Sequence, residues 1–205
     1  ENLEKTRELN DQLNTDLELR EKKVKELEDV LEREATKAKN LNDKITNALL
    51  NFKASDLTVE MKNGKVYVSL AEKLLFKSGS TVVDPSGQKA LQQLAEAVKT
   101  HTDIEIIVEG HTDNVPISGK QKYLTDNWDL SVLRATSIVR ILTTAGVSEN
   151  QIIASGKGEF SPITDNVTED DKQKNRRTEI IISPNLDEIF NIINKKRAAD
   201  NGQIG

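Results

Sequence analysis

Leu3, Asn10, Leu17, Val24, Leu31, Ala38, Ile45 and Phe52 recur at every seventh residue, and all but Asn10 are apolar. A companion stripe holds Leu13, Leu27, Leu41 and Ala48, interrupted by Thr6, Arg20 and Glu34. A seven-residue apolar repeat marks helices that bury one seam against each other, so residues 1–54 are expected to form a coiled-coil helix. No Pro or Gly interrupts the chain before Gly64, and a helix of this size would reach on the order of 75 Å at 1.5 Å per residue. A lone helix has nothing to cover such a stripe. Asn10, at a seam position, is the kind of residue that sets register in two parallel strands, so the expected partner is a second copy in a parallel homodimer.

Past Phe52 the period shortens to two. Leu57, Val59 and Met61, then Val66, Val68 and Leu70, alternate with polar residues on either side of Asn63-Gly64. That pair suits the positive φ angles of a type I′ turn and predicts a hairpin. A loop around Phe76 follows. Helical spacing then returns from Pro85 to about Thr100, in Ala90, Leu91, Leu94, Ala95, Ala97 and Val98.

Ile104, Ile106 and Val108 predict a strand ending at Gly110, and Asn127 to Ala145 a second long helix stopped by Gly146. A short strand at residues 152–154, a polar loop over 161–174 and a strand at 178–182 complete the domain, with Gly156-Lys-Gly-Glu159 read as a turn. An amphipathic helix from about Leu186 to Lys196 ends the pattern. Strands separated by such helices imply an α/β sandwich, a mixed sheet covered by helices, over residues 55–185. The right-handed crossover makes strands 104–108 and 152–154 parallel. Residues 186–205 are left as a C-terminal helix and tail.

Composition narrows the classes. A net charge of -5 leaves no cationic excess for a phosphate backbone, so nucleic-acid binding is not expected. With no cysteine there are no disulfides and no thiolate ligands. No run approaches the roughly 18–20 apolar residues that a membrane-spanning helix needs, and membrane attachment is expected through a segment upstream of Glu1.

Glu109-Gly-His-Thr-Asp-Asn-Val-Pro-Ile117 leaves the C-terminal end of a core strand, where open α/β sheets place ligands. Asn127 and Arg134 are seven apart on the following helix and share one face. Asp113 and Arg134 would then line one pocket, and the first-turn amides of the helix would be open to a carboxylate. Bland alternatives exist for each. Asp113 would merely cap its loop, Arg134 would pair with Asp129 or Glu109 on the surface, and Trp128 would be a packing anchor. His111 and Asp113 are metal-ligand types, but the only other histidine is His101, too few donors for the usual three-ligand zinc site. No serine elbow and no cysteine supply a nucleophile, so neither catalytic residues nor cofactors are expected.

Val108-Glu-Gly-His-Thr-Asp-Asn, Asn127-Trp-Asp-Leu-Ser-Val-Leu-Arg-Ala and Asn175-Arg-Arg-Thr-Glu-Ile-Ile-Ile182, in this order and spacing, resemble the OmpA-like peptidoglycan-binding family over about residues 56–184. The resemblance implies a periplasmic address and a ligand: the peptidoglycan stem peptide, chiefly its diaminopimelate. Asp113 would take the ligand's ammonium and Arg134 its carboxylate. Thr112 and Asn127 would add hydrogen bonds, and Arg176 would border the pocket. Many relatives carry Asp after the Phe where this chain has Lys77, so residue 77 is left out of the site. The implied function is a noncovalent wall anchor. A MotB-like flagellar stator fragment is the alternative, and a wall-acting enzyme is a more distant one.

Overall fold

A computed structural model describes residues 2–117, 124–185, 189 and 191–193. The chain divides into two compact units, Glu1–Lys37 with Asn185–Gly205, and Ala38–Pro184. Helix α1 runs from Asn2 to Ala48. Over residues 2–31 the seam residues Leu3, Leu13, Leu17, Val24 and Leu31 are exposed and Leu27 is half-buried, while Val30 and Glu34 are buried. The buried line at that point therefore sits one residue off the expected Leu31. Of the expected helix over 186–196, only 189 and 191–193 fall within the described residues, and these are helical.

The second unit is built on a five-stranded sheet, ordered β1-β2-β5-β3-β4. Strands β1 (Leu57–Lys62) and β2 (Lys65–Ala71) form the expected hairpin. Asn63 and Gly64 have φ of 52° and 73°, both left-handed as a type I′ turn requires. β5 (Arg177–Pro184) lies antiparallel between β2 and β3 (Ile104–His111). β4 (Ile152–Gly158) pairs with β3 in parallel, as the crossover rule predicts. Gly156 and Gly158 are thus strand residues, not the expected turn.

Two α-helices occupy predicted loops. The one-turn helix α2 (Glu72–Leu75) follows β2 directly. Helix α5 (Glu169–Asn175) replaces part of the polar loop 161–174. Thr168 and Asp171 cap it reciprocally, satisfying two amides that a helix start leaves open.

Helices α3 (Pro85–Val98) and α4 (Asn127–Thr144) supply Leu91, Leu94, Ile138 and Leu142 to a core shared with Val68, Ile106, Val108, Ile180 and Ile182. Leu41, Ile45 and Leu49, at and just past the end of α1, belong to the same core. Full burial of such a side chain stabilises by about 1.5–3 kcal/mol.

The α4 backbone lies hard against the sheet. A Cβ on Gly110 would come within 2.2 Å of the Ser131 carbonyl oxygen, and one on Gly156 within 2.3 Å of the Ser131 hydroxyl. That hydroxyl donates to the Trp128 carbonyl and accepts from the Gly158 amide. This close seating fixes the direction in which the next turn of α4 projects Arg134.

Candidate functional site

Strand register assembles the site. Ala71 pairs with Arg177 on one side of β5, and His111 pairs with Arg177 on the other. The next residues outward, Glu72 from β2 and Thr112-Asp113 from β3, therefore flank Arg176 as it enters β5. The Glu72 amide donates to the Arg176 carbonyl at 2.9 Å. Arg134 arrives from the first half of α4.

All the residues expected at the site, Thr112, Asp113, Asn127, Arg134 and Arg176, line one cavity of about 510 Å³. Glu72, Lys73, Phe76, Ser78, Gly79, Leu130, Glu169 and the apolar run Val115-Pro116-Ile117 complete its wall.

The charges in this cavity form a chain. Asp113 is buried; one of its carboxylate oxygens accepts from the Val115 amide at 3.0 Å and the other meets Arg176 Nη1 at 2.5 Å. Arg176 also reaches Glu72 Oε2 at 2.9 Å through Nε and Glu169 Oε1 at 2.6 Å through Nη2. The other Glu72 oxygen contacts Arg134 Nη2.

Arg134, only 3% exposed, donates from Nε to the Ser80 carbonyl at 3.0 Å and lies over the Phe76 ring, 4.9 Å from its centroid. Burial pulls the Arg134 guanidinium below its usual pKa, and Glu72 opposes that pull. For Arg176 burial also acts downward, but the hydrogen bonds to Glu169 and Asp113 prevail and its pKa is raised. Both arginines face the cavity, so the surface pairings of Arg134 with Asp129 or Glu109 are replaced by Glu72.

Asn127 and Thr112 shape the loop as well as lining the cavity. The Asn127 amide nitrogen donates to the carbonyls of Asp113 and Val115 and to Glu159, at 3.2, 3.1 and 2.8 Å. Thr112 Oγ1 donates to the Asp113 carbonyl. Two of the first-turn α4 amides expected to be open are taken: Asp126 accepts from Trp128 and Asp129.

Arg177 points away from the cavity, bonding Glu179 and the carbonyls of Asn175 and Ser161. Successive strand residues diverge in this way. Trp128 is half exposed and stacks on Phe160, with ring centroids 5.2 Å apart.

His111 turns from the cavity to Glu109 and Glu179, and potential ligand atoms of these three lie within 4.8 Å of one another. Glu179 is already bonded to Arg177 at 2.7 Å, and Glu109 has Lys157 at 3.7 Å. Both carboxylates thus carry a cation, and Asp113, the ligand type that the sequence paired with His111, faces elsewhere. Burial, aided by Arg177, lowers the His111 pKa to about 4, so its ring is neutral near pH 7.

Glu72, Glu159 and Glu169 were not legible as site residues. Glu72 falls just past the strand residues Val66, Val68 and Leu70, where a loop is read, and only the pairing of β2 with β5 shows what it faces. The Thr168-x-x-Asp171 capping pattern was the available signal for α5, and hence for Glu169.

Residues 75–176 match the OmpA family model. "Motility protein B" of Bacillus subtilis is 29% identical over 129 residues, covering 62% of this chain and 49% of that protein. "Peptidoglycan-binding protein ArfA" of Mycobacterium bovis is 29% identical over 110 residues, covering 54% of this chain and 32% of that protein. The chain thus spans half or less of the length of these two relatives. The structure of the cell wall anchor of the T6SS from Pseudomonas aeruginosa superposes with a TM-score of 0.62 at 27% identity, covering 68% of this chain and 96% of that one.

Proposed function

Residues 75–176 belong to the OmpA family, and from that premise we propose that this chain holds peptidoglycan noncovalently through the cavity between Asp113 and Arg134. The observation that carries the reading is the convergence of Asp113, Arg134 and Arg176 on one open cavity. Diaminopimelate presents an ammonium and a carboxylate on one short side chain. A buried carboxylate and a buried guanidinium in one cavity match both ends with charge-assisted bonds. The role is anchoring rather than catalysis, in keeping with relatives named for motility, wall binding and wall anchoring.

These relatives support a cell-envelope location, and on the stem-peptide reading the domain works in the periplasm. No described helix is long and apolar enough to cross a membrane. The exposed Leu3, Leu13, Leu17, Val24 and Leu31 support a parallel homodimer through α1, which a monomer in sedimentation at high micromolar concentration would exclude.

The test is co-sedimentation with purified sacculi. Asp113→Asn and Arg134→Ala should each reduce binding at least tenfold with the circular dichroism unchanged, and binding should weaken as salt rises. Retained binding by both folded variants would rule out the site. The likeness to Motility protein B favours one second reading, the wall-holding part of a flagellar stator. Deleting the gene would then abolish swimming while leaving flagella in place.

A further inference from the structure

We propose that Glu72 is an internal competitor of the ligand, a carboxylate that occupies Arg134 until the wall's carboxylate takes its place. This rests on the peptidoglycan reading of the cavity. Arg134 has its Nε on the Ser80 carbonyl and its Nη2 on Glu72. A bidentate grip on an incoming carboxylate needs two neighbouring donors of the fork, and Glu72 holds one of them.

Glu72 is well placed to stay there. Its backbone is tied to Arg176 and its second carboxylate oxygen meets Arg176 Nε at 2.9 Å. Arg176 mirrors the arrangement at the other end of the cavity, where its Nη1 stands on Asp113 as a ligand ammonium would. The two ends differ in what remains after exchange. Arg176 keeps Glu72 and Glu169 when it leaves Asp113, whereas Arg134, buried and held otherwise by the neutral Ser80 carbonyl and the face of the Phe76 ring, has no second carboxylate among the contacts described.

Binding is therefore an exchange of ion pairs, and apparent affinity is reduced by the fraction of time for which Glu72 leaves Arg134. Removing the competitor uncovers a buried guanidinium, which costs stability. A ligand carboxylate then restores what was lost. The signature is an opposite movement of stability and affinity, which a residue that merely positions Arg134 would not produce.

The experiment is calorimetric titration of the full 205-residue chain with free diaminopimelate, together with thermal melts with and without it. Glu72→Gln should bind about five- to tenfold more tightly than wild type, melt lower in the absence of diaminopimelate and gain more in Tm from its addition. Glu72→Asp keeps the charge on a shorter arm and should fall between the two, which preserves the test if Glu72→Gln folds poorly. Unchanged or weaker binding by both variants, with Asp113→Asn still abolishing it, overturns the competitor and leaves the peptidoglycan reading standing. A wild-type chain that binds neither diaminopimelate nor sacculi overturns both.

Discussion

Ile45 and Leu17 hold the same heptad position four repeats apart on one helix, yet Ile45 is 0% exposed and Leu17 56%. The stripe serves two purposes. Near Ala48 it is the edge of a globular core, filled by the domain's own sheet and helices. Over residues 2–31 it exposes Leu3, Leu17, Val24 and Leu31, whose energy is realised only against something outside the described fold. Apolar periodicity says that a face will be covered; only the tertiary structure says by what.

The largest effect is expected where the domain has no slack. Gly110→Ala would put a methyl 2.2 Å from the Ser131 carbonyl oxygen, and neither β3 nor α4 can retreat without opening the core. The variant should lose more than about 3 kcal/mol in urea denaturation. A stability within 1 kcal/mol of wild type, on the scale of an ordinary surface change, would show that α4 can lift off the sheet.

Next comes the stripe itself. Ile45→Ala should cost about 2–5 kcal/mol, as deletions at fully buried sites do. Leu17→Ala, measured at a concentration too low for self-association, should cost less than about 0.5 kcal/mol. Equal costs would mean that the two halves of the helix are not different in kind.

How much was legible follows the same division. The hairpin, both long helices, the parallel β3-β4 pair and the α/β class follow from local pattern and handedness, because each needs only neighbours in sequence. Asp113, Arg134 and Arg176 were nameable because their motifs are contiguous runs. Glu72 was not, since its meaning comes from β5 lying between β2 and β3, an order no local pattern encodes. The same order explains why Arg134 pairs with Glu72 rather than with Asp129 on its own helix. Gly156 and Gly158 read as a turn because glycine is usually a breaker; in fact the strand continues and the approach of Ser131 excludes a side chain at Gly156.

A smaller effect separates the regions by pH. His111 binds its proton with a pKa of about 4 in the fold, against 6.5 for an unburied histidine. The unfolded chain therefore takes up more protons as pH falls from 6.5 toward 4, and domain stability should drop through that window and recover above it. Burial dominates, Arg177 and Lys157 act in the same direction, and Glu179 opposes them. His111→Gln should flatten this part of the pH profile, and an unchanged slope would assign it to carboxylates.

The smallest change in domain stability belongs to the most informative substitution. Leu17→Asp with Val24→Asp places two charges on the exposed half of the stripe, where neither side chain contributes to the core of the second unit. The domain's melting temperature, taken at low concentration, should move by less than about 2 °C. Sedimentation at high micromolar concentration should nevertheless change from dimer to monomer, because a charge at a seam position cannot be buried against its own copy without a large penalty. If association persists in the double variant, the exposed leucines are not the dimer seam. If the melting temperature falls instead, residues 2–31 support the domain directly, and the contrast between Ile45 and Leu17 would be one of degree.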